Sequence, residues 1–423
     1  MLDFASRQSA TESAAHSTPH RPHIVVGITH QETCLALTGR LRTLREAGFL
    51  VTLVSGPGKL VEITAASQGV AAITIPMRRE IALFADIVSL VRLWLLLCRL
   101  KPDITEFSTP KAGLLGSVAG WLAGVPRRVY LLRGLKLETS SGFKRRVLLV
   151  AERMAARCAQ IVLCTSESLR DEARALGIAP AAKLQLLGAG SSNGVDTERF
   201  SPGPSDVRDM LSLPRRAPVV GFVGRLTRDK GVPELIEAFD AILKAQPKAH
   251  LLLVGWFDTS EDALDKETRA RIEGHPRIHR TGFVVDTAPY YRALDVMVLP
   301  TWREGFPNAV LEAAATGIPV ITTECTGSRD SVVPEVTGLL IPPGYPEAIS
   351  DTVLKLLRDP KRRQSMGAAA RVWVLKHYAR ERVTGLVAKY YWSLLEPASA
   401  ASSYRLRQFF DDDSVRQTVD AGL

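Results

Sequence analysis

The fold of this chain is decided by VMVLPTWREGFPNAVLEAAATGIPVITTE, residues 296–324. A short apolar run at each end has the composition of a β-strand, and an alanine-rich segment of helical character separates the two runs. Two strands joined through one helix form a β-α-β unit, in which the strands lie parallel. Because similar units recur on both sides of this stretch, we predict parallel sheets covered by helices on both faces.

The same alternation of strand and helix fills most of the chain. In the first half, strands are predicted at 23–29, 49–56, 70–76, 103–108, 127–134, 160–166 and 183–190. In the second half, they are predicted at 218–224, 250–255, 277–283, 296–301, 318–324 and 338–344. The predicted fold class is therefore α/β, with two Rossmann-like, doubly wound parallel-sheet domains. Such sheets bind ligands at the carboxyl ends of their strands, so two facing domains would form a binding cleft.

The domain boundaries follow from composition. A chain of 423 residues is too long for one ordinary core. A segment rich in Pro, Ser and charge separates the two alternating halves and is the best candidate for a linker. The predicted order is a disordered leader (1–22), a first domain (23–200), the linker (201–217), a second domain (218–375), a C-terminal helix that packs back on the first domain (376–396) and a weakly ordered tail (397–423).

Charge and cysteine usage narrow the class of protein. The chain has 54 Lys and Arg against 44 Asp and Glu, a net charge of +10, which indicates an anionic partner such as a phosphorylated substrate or acidic lipid. Basic residues are not interleaved with aromatic ones, so we predict no nucleic-acid partner. The 5 cysteines are scattered and lack metal-binding spacing, which favours reduced thiols in the cytoplasm and no metal site. The leader has no apolar core of the signal-peptide kind.

The stretch 81–100 is apolar enough that we considered whether it spans or binds a membrane. Asp86, Arg92 and Arg99 interrupt it, whereas a spanning helix needs about 20 nearly uncharged residues. Two interpretations remain open. The helix is either a buried crossover between strands, or it also docks on a membrane surface.

The loop after the first strand of the second domain reads GRLTRDKG, residues 224–231. Gly224 allows a tight turn, and Arg225 and Lys230 follow at the carboxyl edge of the sheet, where a diphosphate would lie. Neither half of the chain has the Gly-x-Gly-x-x-Gly pattern of nicotinamide or flavin sites. The chain also lacks the P-loop pattern, so P-loop ATP hydrolysis is excluded.

The loop within 296–324 is the most informative in the chain. Pro307 suits the first turn of a helix and Gly317 suits its far end, so the helix amides at the N-terminus point into the predicted cleft. Glu304 lies just before this helix and Glu312 lies inside it. Carboxylates accept hydrogen bonds from paired hydroxyls, so one could hold a sugar and the other a ribose.

At this point the sequence resembles a known family. EGFPNAVLE (304–312) is similar to the Glu-x7-Glu motif of the family 4 retaining glycosyltransferases of GT-B architecture, GFVGRLTRDKG (221–231) resembles their diphosphate loop, and SSNGVD (191–196) resembles their domain junction. The resemblance implies transfer of a sugar from a nucleotide-diphosphate donor, with retention of anomeric configuration and without a metal ion. It implies no cofactor, because the nucleotide sugar is a substrate.

The resemblance also implies roles for individual residues. Arg225 and Lys230 would neutralise the donor diphosphate, Glu312 would bind the ribose hydroxyls and Glu304 would hold the transferred sugar. Gly224 would allow the backbone to approach the donor. The helix start would complete the donor site through Phe306, Pro307, Asn308 and Ala309.

The first domain departs from the family pattern. It has His30, Gln31 and Glu32 where many relatives have a glycine pair, and Arg133 where relatives often have a histidine. His30, Lys111 and Arg133 are therefore candidates for acceptor binding, with surface charge as the alternative for each. RGLKLETSSGFKRR (133–146) resembles bacterial members that extend sugars on polyprenyl-diphosphate carriers. We expect a lipid-linked or polysaccharide acceptor, and peripheral attachment to the inner face of an anionic cytoplasmic membrane through 81–101 and 143–157.

Two other functions use the same architecture. One is a nucleotide-sugar 2-epimerase, whose corresponding loop has a Ser-Gly-Gly sequence followed by paired glutamates; REGFPNAVLE does not match it. The other is a non-catalytic protein that binds nucleotide sugars, which would never release nucleoside diphosphate.

Overall fold

The computed structural model describes residues 21–78 and 82–396. Residues 1–20 of the predicted leader (1–22) and the predicted weakly ordered tail (397–423) lie outside the described residues. Arg21 and Pro22 do not fit the prediction, because Arg21 donates to the Phe49 oxygen at 3.1 Å and the Pro22 oxygen accepts from Leu50 N–H at 2.9 Å. The described chain forms two parallel sheets, one of seven strands and one of six. This confirms the predicted α/β class with two Rossmann-like domains.

The first sheet has the strand order β3-β2-β1-β4-β5-β6-β7, and all its pairs are parallel. Its strands are β1 (His23–Gly27), β2 (Leu50–Ser55), β3 (Ala71–Thr74), β4 (Ile104–Ser108), β5 (Arg127–Leu132), β6 (Ile161–Cys164) and β7 (Leu184–Leu186). Its helices are α1 (Arg40–Glu46), α2 (Lys59–Gln68), α3 (Leu83–Leu100), α4 (Pro110–Leu122), α5 (Gly142–Cys158) and α6 (Glu167–Ala175). Short 3-10 turns occupy Gln31–Leu37, Lys136–Thr139 and Ala181–Lys183.

The second sheet has the order β10-β9-β8-β11-β12-β13, again with parallel pairs. Its strands are β8 (Val219–Val223), β9 (His250–Val254), β10 (Ile278–Arg280), β11 (Val296–Leu299), β12 (Val320–Thr323) and β13 (Gly338–Ile341). The remaining helices are α7 (Val207–Met210), α8 (Val232–Ala245), α9 (Lys266–Gly274), α10 (Ala288–Arg292), α11 (Asn308–Ala315), α12 (Pro346–Arg358), α13 (Pro360–His377) and α14 (Arg380–Leu395). A 3-10 turn covers Arg329–Ser331.

The sheet order places the two informative loops side by side. In the second sheet the chain winds outward from β8 in one direction and from β11 in the other. A crevice forms at such a reversal because the helices that follow the two central strands lie on opposite faces. The loop after β8 carries Arg225 and Lys230, and the loop after β11 carries Glu304. Both loops therefore open onto one crevice.

The segment 201–217 packs closely on the second domain. Val207 and Leu213 are buried in the core of that domain. Arg208 forms an ion pair with Asp295 at 2.9 Å and donates to the backbone oxygen of Ala293 at 3.0 Å. The Pro, Ser and charged residues of this segment therefore make surface turns against the sheet.

The last helix returns to the first domain. Val387, Ala388 and Tyr391 of α14 belong to the apolar core around β1 and α1. The chain thus crosses between the domains a second time, and the two crossings lie next to each other. There Val195 N–H donates to the Tyr378 oxygen at 2.8 Å, and Arg380 N–H donates to the Val195 oxygen at 2.9 Å.

Candidate active site

The two domains touch at a pair of glycines on the edge of the cleft. A Cβ added at Gly305 would lie 1.9 Å from the Arg133 oxygen, and one added at Gly134 would lie 3.1 Å from the Gly305 nitrogen. Gly134 also has a φ of +128°, a region that favours glycine. The loops after β5 and β11 can therefore approach only because neither position carries a side chain.

The loop after β8 begins with another close backbone approach. Gly224 has a φ of +152°, and a Cβ at Gly255 would lie 1.8 Å from its oxygen. Arg225 follows and forms an ion pair with Asp258 from the loop after β9. The Arg225 side chain remains 27% exposed while that of Asp258 is 8% exposed, so the guanidinium is anchored on one side and open on the other.

The central contact of the crevice joins Lys230 to Glu304. The ammonium of Lys230 donates to Oε1 of Glu304, and the two side chains are 17% and 15% exposed. The two residues come from different loops and are 74 positions apart. The structure thus brings together a cation and a carboxylate for which the sequence implied separate roles.

The helix that follows Glu304 is α11, which begins at Asn308. Pro307 was predicted in its first turn and instead precedes the helix in an extended conformation, with φ −79° and ψ 108°. This ψ turns the chain from the loop into the helix, so the proline caps the helix from outside. Gly317 ends the helix with a φ of +81°, as predicted. The Pro307 oxygen accepts a hydrogen bond from Val310 N–H at 3.2 Å. By helix geometry the amides of Asn308 and Ala309 have no acceptor within the helix.

Glu312 lies on α11 and has a partner that the sequence did not reveal. The hydroxyl of Tyr291 donates to Oε2 of Glu312 at 2.8 Å. Burial raises the pKa of Glu312 to about 7, and the Tyr291 hydrogen bond and the charges of Arg199 and Arg380 act in the opposite direction. The carboxyl group therefore titrates near neutral pH.

The three acceptor candidates have different surroundings. His30 lies in the loop after β1, with its side chain 41% exposed and its Nδ1 atom 4.0 Å from the Glu32 carboxylate. Lys111 forms an ion pair with Asp86 of α3, with N–O distances of 2.7 and 2.9 Å. The sequence did not indicate this pairing of Lys111 with Asp86.

Arg133 is a partly buried cation at the domain junction. Its Nη2 donates to Ser192 Oγ at 2.8 Å and to the Ala36 oxygen at 3.3 Å. Burial and the nearby charge of Arg40 lower its pKa to about 10, and Glu106 opposes this shift. Arg133 is therefore still charged at neutral pH, and the alternative of a freely solvated surface charge is wrong.

A turn of the first domain reaches over the second. Lys136 of this turn and Lys144 at the start of α5 both bind the carboxylate of Glu261, and Thr139 Oγ1 of the turn accepts a hydrogen bond from Arg303 at 2.9 Å. The two lysines hold the pKa of Glu261 down at about 2. Lys144 belongs to the segment 143–157 for which a membrane contact was predicted, and its ammonium is bound to Glu261 of the other domain.

The comparisons with known proteins cover both domains. Residues 36–190 match the family described as glycosyl transferase 4-like domain, and residues 217–359 match glycosyl transferases group 1. The capsular polysaccharide biosynthesis glycosyltransferase CapM of Staphylococcus aureus is 36% identical over 357 residues, which are 84% of this chain and 90% of CapM. The chain belongs to this glycosyltransferase family.

Two further similarities support the assignment. The UDP-Gal:alpha-D-GlcNAc-diphosphoundecaprenol alpha-1,3-galactosyltransferase of Escherichia coli is 32% identical over 272 residues, covering 62% of this glycosyltransferase and 68% of the relative. The crystal structure of Anabaena HepE with UDP and glucose superposes with a TM-score of 0.74 at 19% identity, covering 88% of this chain and 100% of HepE. This likeness confirms the predicted GT-B fold of the glycosyltransferase.

Proposed function

We propose that this glycosyltransferase moves a hexose or an N-acetylhexosamine from a nucleotide-diphosphate sugar to a lipid-linked or polysaccharide acceptor. The observation that carries the proposal is the Lys230–Glu304 pair at the crevice of the second sheet, next to the start of α11. The names of CapM and of the Escherichia coli galactosyltransferase support an acceptor in glycan biosynthesis, the latter on a diphosphoundecaprenol carrier.

The leaving group of this reaction is a nucleoside diphosphate. Arg225, Lys230 and the free amides of α11 supply positive charge where the diphosphate would develop negative charge. Each such preorganised donor typically contributes about 2.7–4 kcal/mol to transition-state stabilisation. The proposal therefore assigns to these groups the stabilisation of the diphosphate charge that a metal ion provides in other transferases. As Lys230 turns to the diphosphate, Glu304 is freed to accept hydrogen bonds from the sugar hydroxyls.

We propose retention of anomeric configuration, with a donor phosphate oxygen as the base. The bond from the sugar carbon to the diphosphate breaks, the acceptor oxygen bonds to the same face of that carbon, and the acceptor proton passes to the diphosphate. A double displacement would instead need a carboxylate nucleophile about 5–5.5 Å from its acid partner. Mass spectrometry that traps a sugar on a protein carboxylate would contradict this mechanism.

A donor screen tests the proposed function. Purified protein is incubated with UDP-galactose, UDP-N-acetylglucosamine or GDP-mannose in turn, with bacterial membrane extract as acceptor, and released nucleoside diphosphate is measured with and without EDTA. We expect release from one donor, unaffected by EDTA and abolished in Glu304→Ala. Glu62→Ala is the matched control, because Glu62 is an exposed carboxylate on α2. Folded wild-type protein that releases nucleotide from no donor would contradict a transferase, and EDTA sensitivity would contradict metal independence.

The Glu312–Tyr291 pair predicts a dependence of donor binding on pH. If ribose hydroxyls bind the Glu312 carboxylate, donor affinity falls as pH drops through about 7, where this carboxyl takes up a proton. In Tyr291→Phe the hydrogen bond that lowers the pKa is gone, so the fall in affinity begins at higher pH. Isothermal titration with UDP and GDP between pH 6 and 9 measures the shift. Tyr290→Phe is the control, and identical pH profiles for both variants would contradict the role of Glu312.

The proposed membrane contact is carried by an exposed apolar face. Helix α4 lies between α3 and α5 in the first domain, and all three helices expose large apolar side chains. The most exposed are Leu83 at 77%, Phe84 at 83% and Phe143 at 81%. Arg145 and Arg146 are also exposed next to Phe143. Within the described residues no helix is long and apolar enough to span a membrane. An apolar face beside basic residues fits the surface of an anionic bilayer, and we place it at the inner face of the cytoplasmic membrane.

Vesicle binding tests this contact. We expect Phe84→Ser combined with Phe143→Ser to reduce sedimentation with phosphatidylglycerol vesicles strongly, because about 25 cal/mol per Å² of apolar burial is lost. Arg145→Glu with Arg146→Glu should reduce binding to these vesicles only at low salt. Lys144 is left unchanged, since it binds Glu261. Equal sedimentation of wild type and both variants would contradict a membrane-facing role for this surface.

A further inference from the structure

Arg303 precedes Glu304, and its guanidinium donates hydrogen bonds to residues on opposite sides of the cleft, with the Asp262 carboxylate farther away at 3.9 Å. Its Nη2 atom donates to Asp229 Oδ2 at 2.8 Å within the second domain. Its Nε atom donates to Thr139 Oγ1 of the first domain at 2.9 Å. Its side chain is 19% exposed. One planar guanidinium thus connects the loop after β11 to both the loop after β8 and the other domain.

Asp229, the partner of Arg303 in the second domain, is buried and held by several hydrogen bonds. Its side chain is 2% exposed, and its Oδ1 accepts from Thr227 at 2.5 Å. Its backbone oxygen accepts from Trp302 N–H at 2.9 Å and from Thr301 Oγ1 at 3.1 Å. Burial by itself would raise the pKa of Asp229, but the charges of Arg303 and Lys230 lower it, so Asp229 remains a carboxylate. The loops after β8 and β11 are therefore joined at Asp229.

The two residues joined by this contact are each next to a residue of the candidate site. Asp229 is the residue before Lys230, and Arg303 is the residue before Glu304. A bond between the two preceding residues fixes the separation of the lysine and the glutamate even when a substrate parts their own ion pair. We propose that Arg303 is a positioning residue that aligns Lys230 and Glu304 on the donor, and that Thr139 completes this alignment when the first domain is docked. The inference rests on the proposed function.

Neighbouring contacts also hold the first domain against the second near Thr139. Lys136, three residues before Thr139, binds Glu261 of the second domain. Glu304 N–H donates to the Thr326 oxygen at 3.2 Å, which holds the loop after β11 from its other side. Separation of the domains would remove Thr139 from Arg303 but leave Asp229 in place. Catalysis and nucleotide binding should therefore respond differently to the two partners of Arg303.

Four variants test whether Asp229 and Thr139 contribute differently through Arg303. They are Arg303→Met, Arg303→Lys, Thr139→Val and the double variant Arg303→Lys with Thr139→Val. Steady-state kinetics use the donor on which the wild type is active, and isothermal titration uses UDP and GDP. We expect Arg303→Met to lower kcat/KM about 100-fold, the effect of a misplacement near 1 Å. We expect Thr139→Val to lower kcat about 2- to 10-fold, the worth of one hydrogen bond, and to leave UDP and GDP affinity unchanged. Thr139 is exposed, so this variant keeps its fold.

The double variant separates positioning from general damage. A lysine at 303 keeps the charge beside Asp229, but its single ammonium does not reach both partners in the fixed geometry of a guanidinium. Thr139→Val should therefore have no further effect on kcat in the Arg303→Lys background. The inference would be overturned if the effects of Arg303→Lys and Thr139→Val on kcat multiplied in the double variant. It would also be overturned if Thr139→Val lost affinity for UDP and GDP, or if Arg303→Met had wild-type kinetics. An inactive wild type would instead refute the proposed function.

Discussion

We expect Lys230→Met to lower kcat/KM for nucleoside-diphosphate release by about 100- to 1000-fold, the usual loss on removing one preorganised electrostatic donor. Methionine keeps the length and apolar body of lysine and removes only the ammonium group. In the free enzyme this ammonium neutralises Glu304, and the proposed mechanism transfers it to the leaving diphosphate. Continuous assays of nucleoside-diphosphate release measure the loss. Lys248→Met, at an exposed position after α8, is the matched control.

The same ion pair predicts an opposite effect on binding for its other member. Glu304→Gln removes the negative charge that competes with a diphosphate for Lys230. UDP or GDP should therefore bind at least as tightly as to wild type, while kcat falls because the sugar loses its carboxylate partner. Lys230→Met should weaken the binding of both nucleotides. If the two variants changed nucleotide affinity in the same direction, the proposed exchange of partners by Lys230 would be wrong.

We expect Arg40→Met to destabilise the protein by about 3–5 kcal/mol, because it leaves a buried carboxylate without its partner. Arg40 and Glu106 are fully buried between α1 and β4, where the guanidinium binds the carboxylate. The Tyr391 hydroxyl of α14 also donates to Glu106, which ties the returning helix to the first domain. Removal of the cation leaves only a neutral donor for this buried negative charge.

Thermal denaturation measures this destabilisation. At roughly 2–4 °C for each kcal/mol, the melting temperature of Arg40→Met should fall by about 10 °C. Addition of Glu106→Gln should restore part of the loss, since the unpaired charge is then absent. Arg216→Met is the control, at an exposed arginine before β8. A melting temperature equal to wild type in Arg40→Met would contradict a stabilising role for the buried pair.

The strands and the site loops follow from the sequence alone. Apolar runs such as 218–224 and 296–301 form buried parallel strands, because a strand covered on both faces must be apolar along its whole length. The loop from Gly224 to Lys230 and the helix that ends before Gly317 were predicted from local chemistry. Glycines, prolines and helix caps act within a few residues, so their effects can be read from short segments.

The tertiary structure alone decides which polar and charged side chains meet. Lys230 pairs with Glu304, Arg303 with Thr139 and Tyr391 with Glu106, across 74, 164 and 285 positions of the chain respectively. Such pairs depend on how helices and domains pack, and a periodic pattern shows only which side of an element is buried. The sequence predicted a membrane contact for 143–157, and it gave no sign that domain packing brings the ammonium of Lys144 within this segment to Glu261. Lys230, Glu304 and Glu312 were candidates from the sequence, whereas Arg303, Asp229 and Tyr291 join them only in the folded chain.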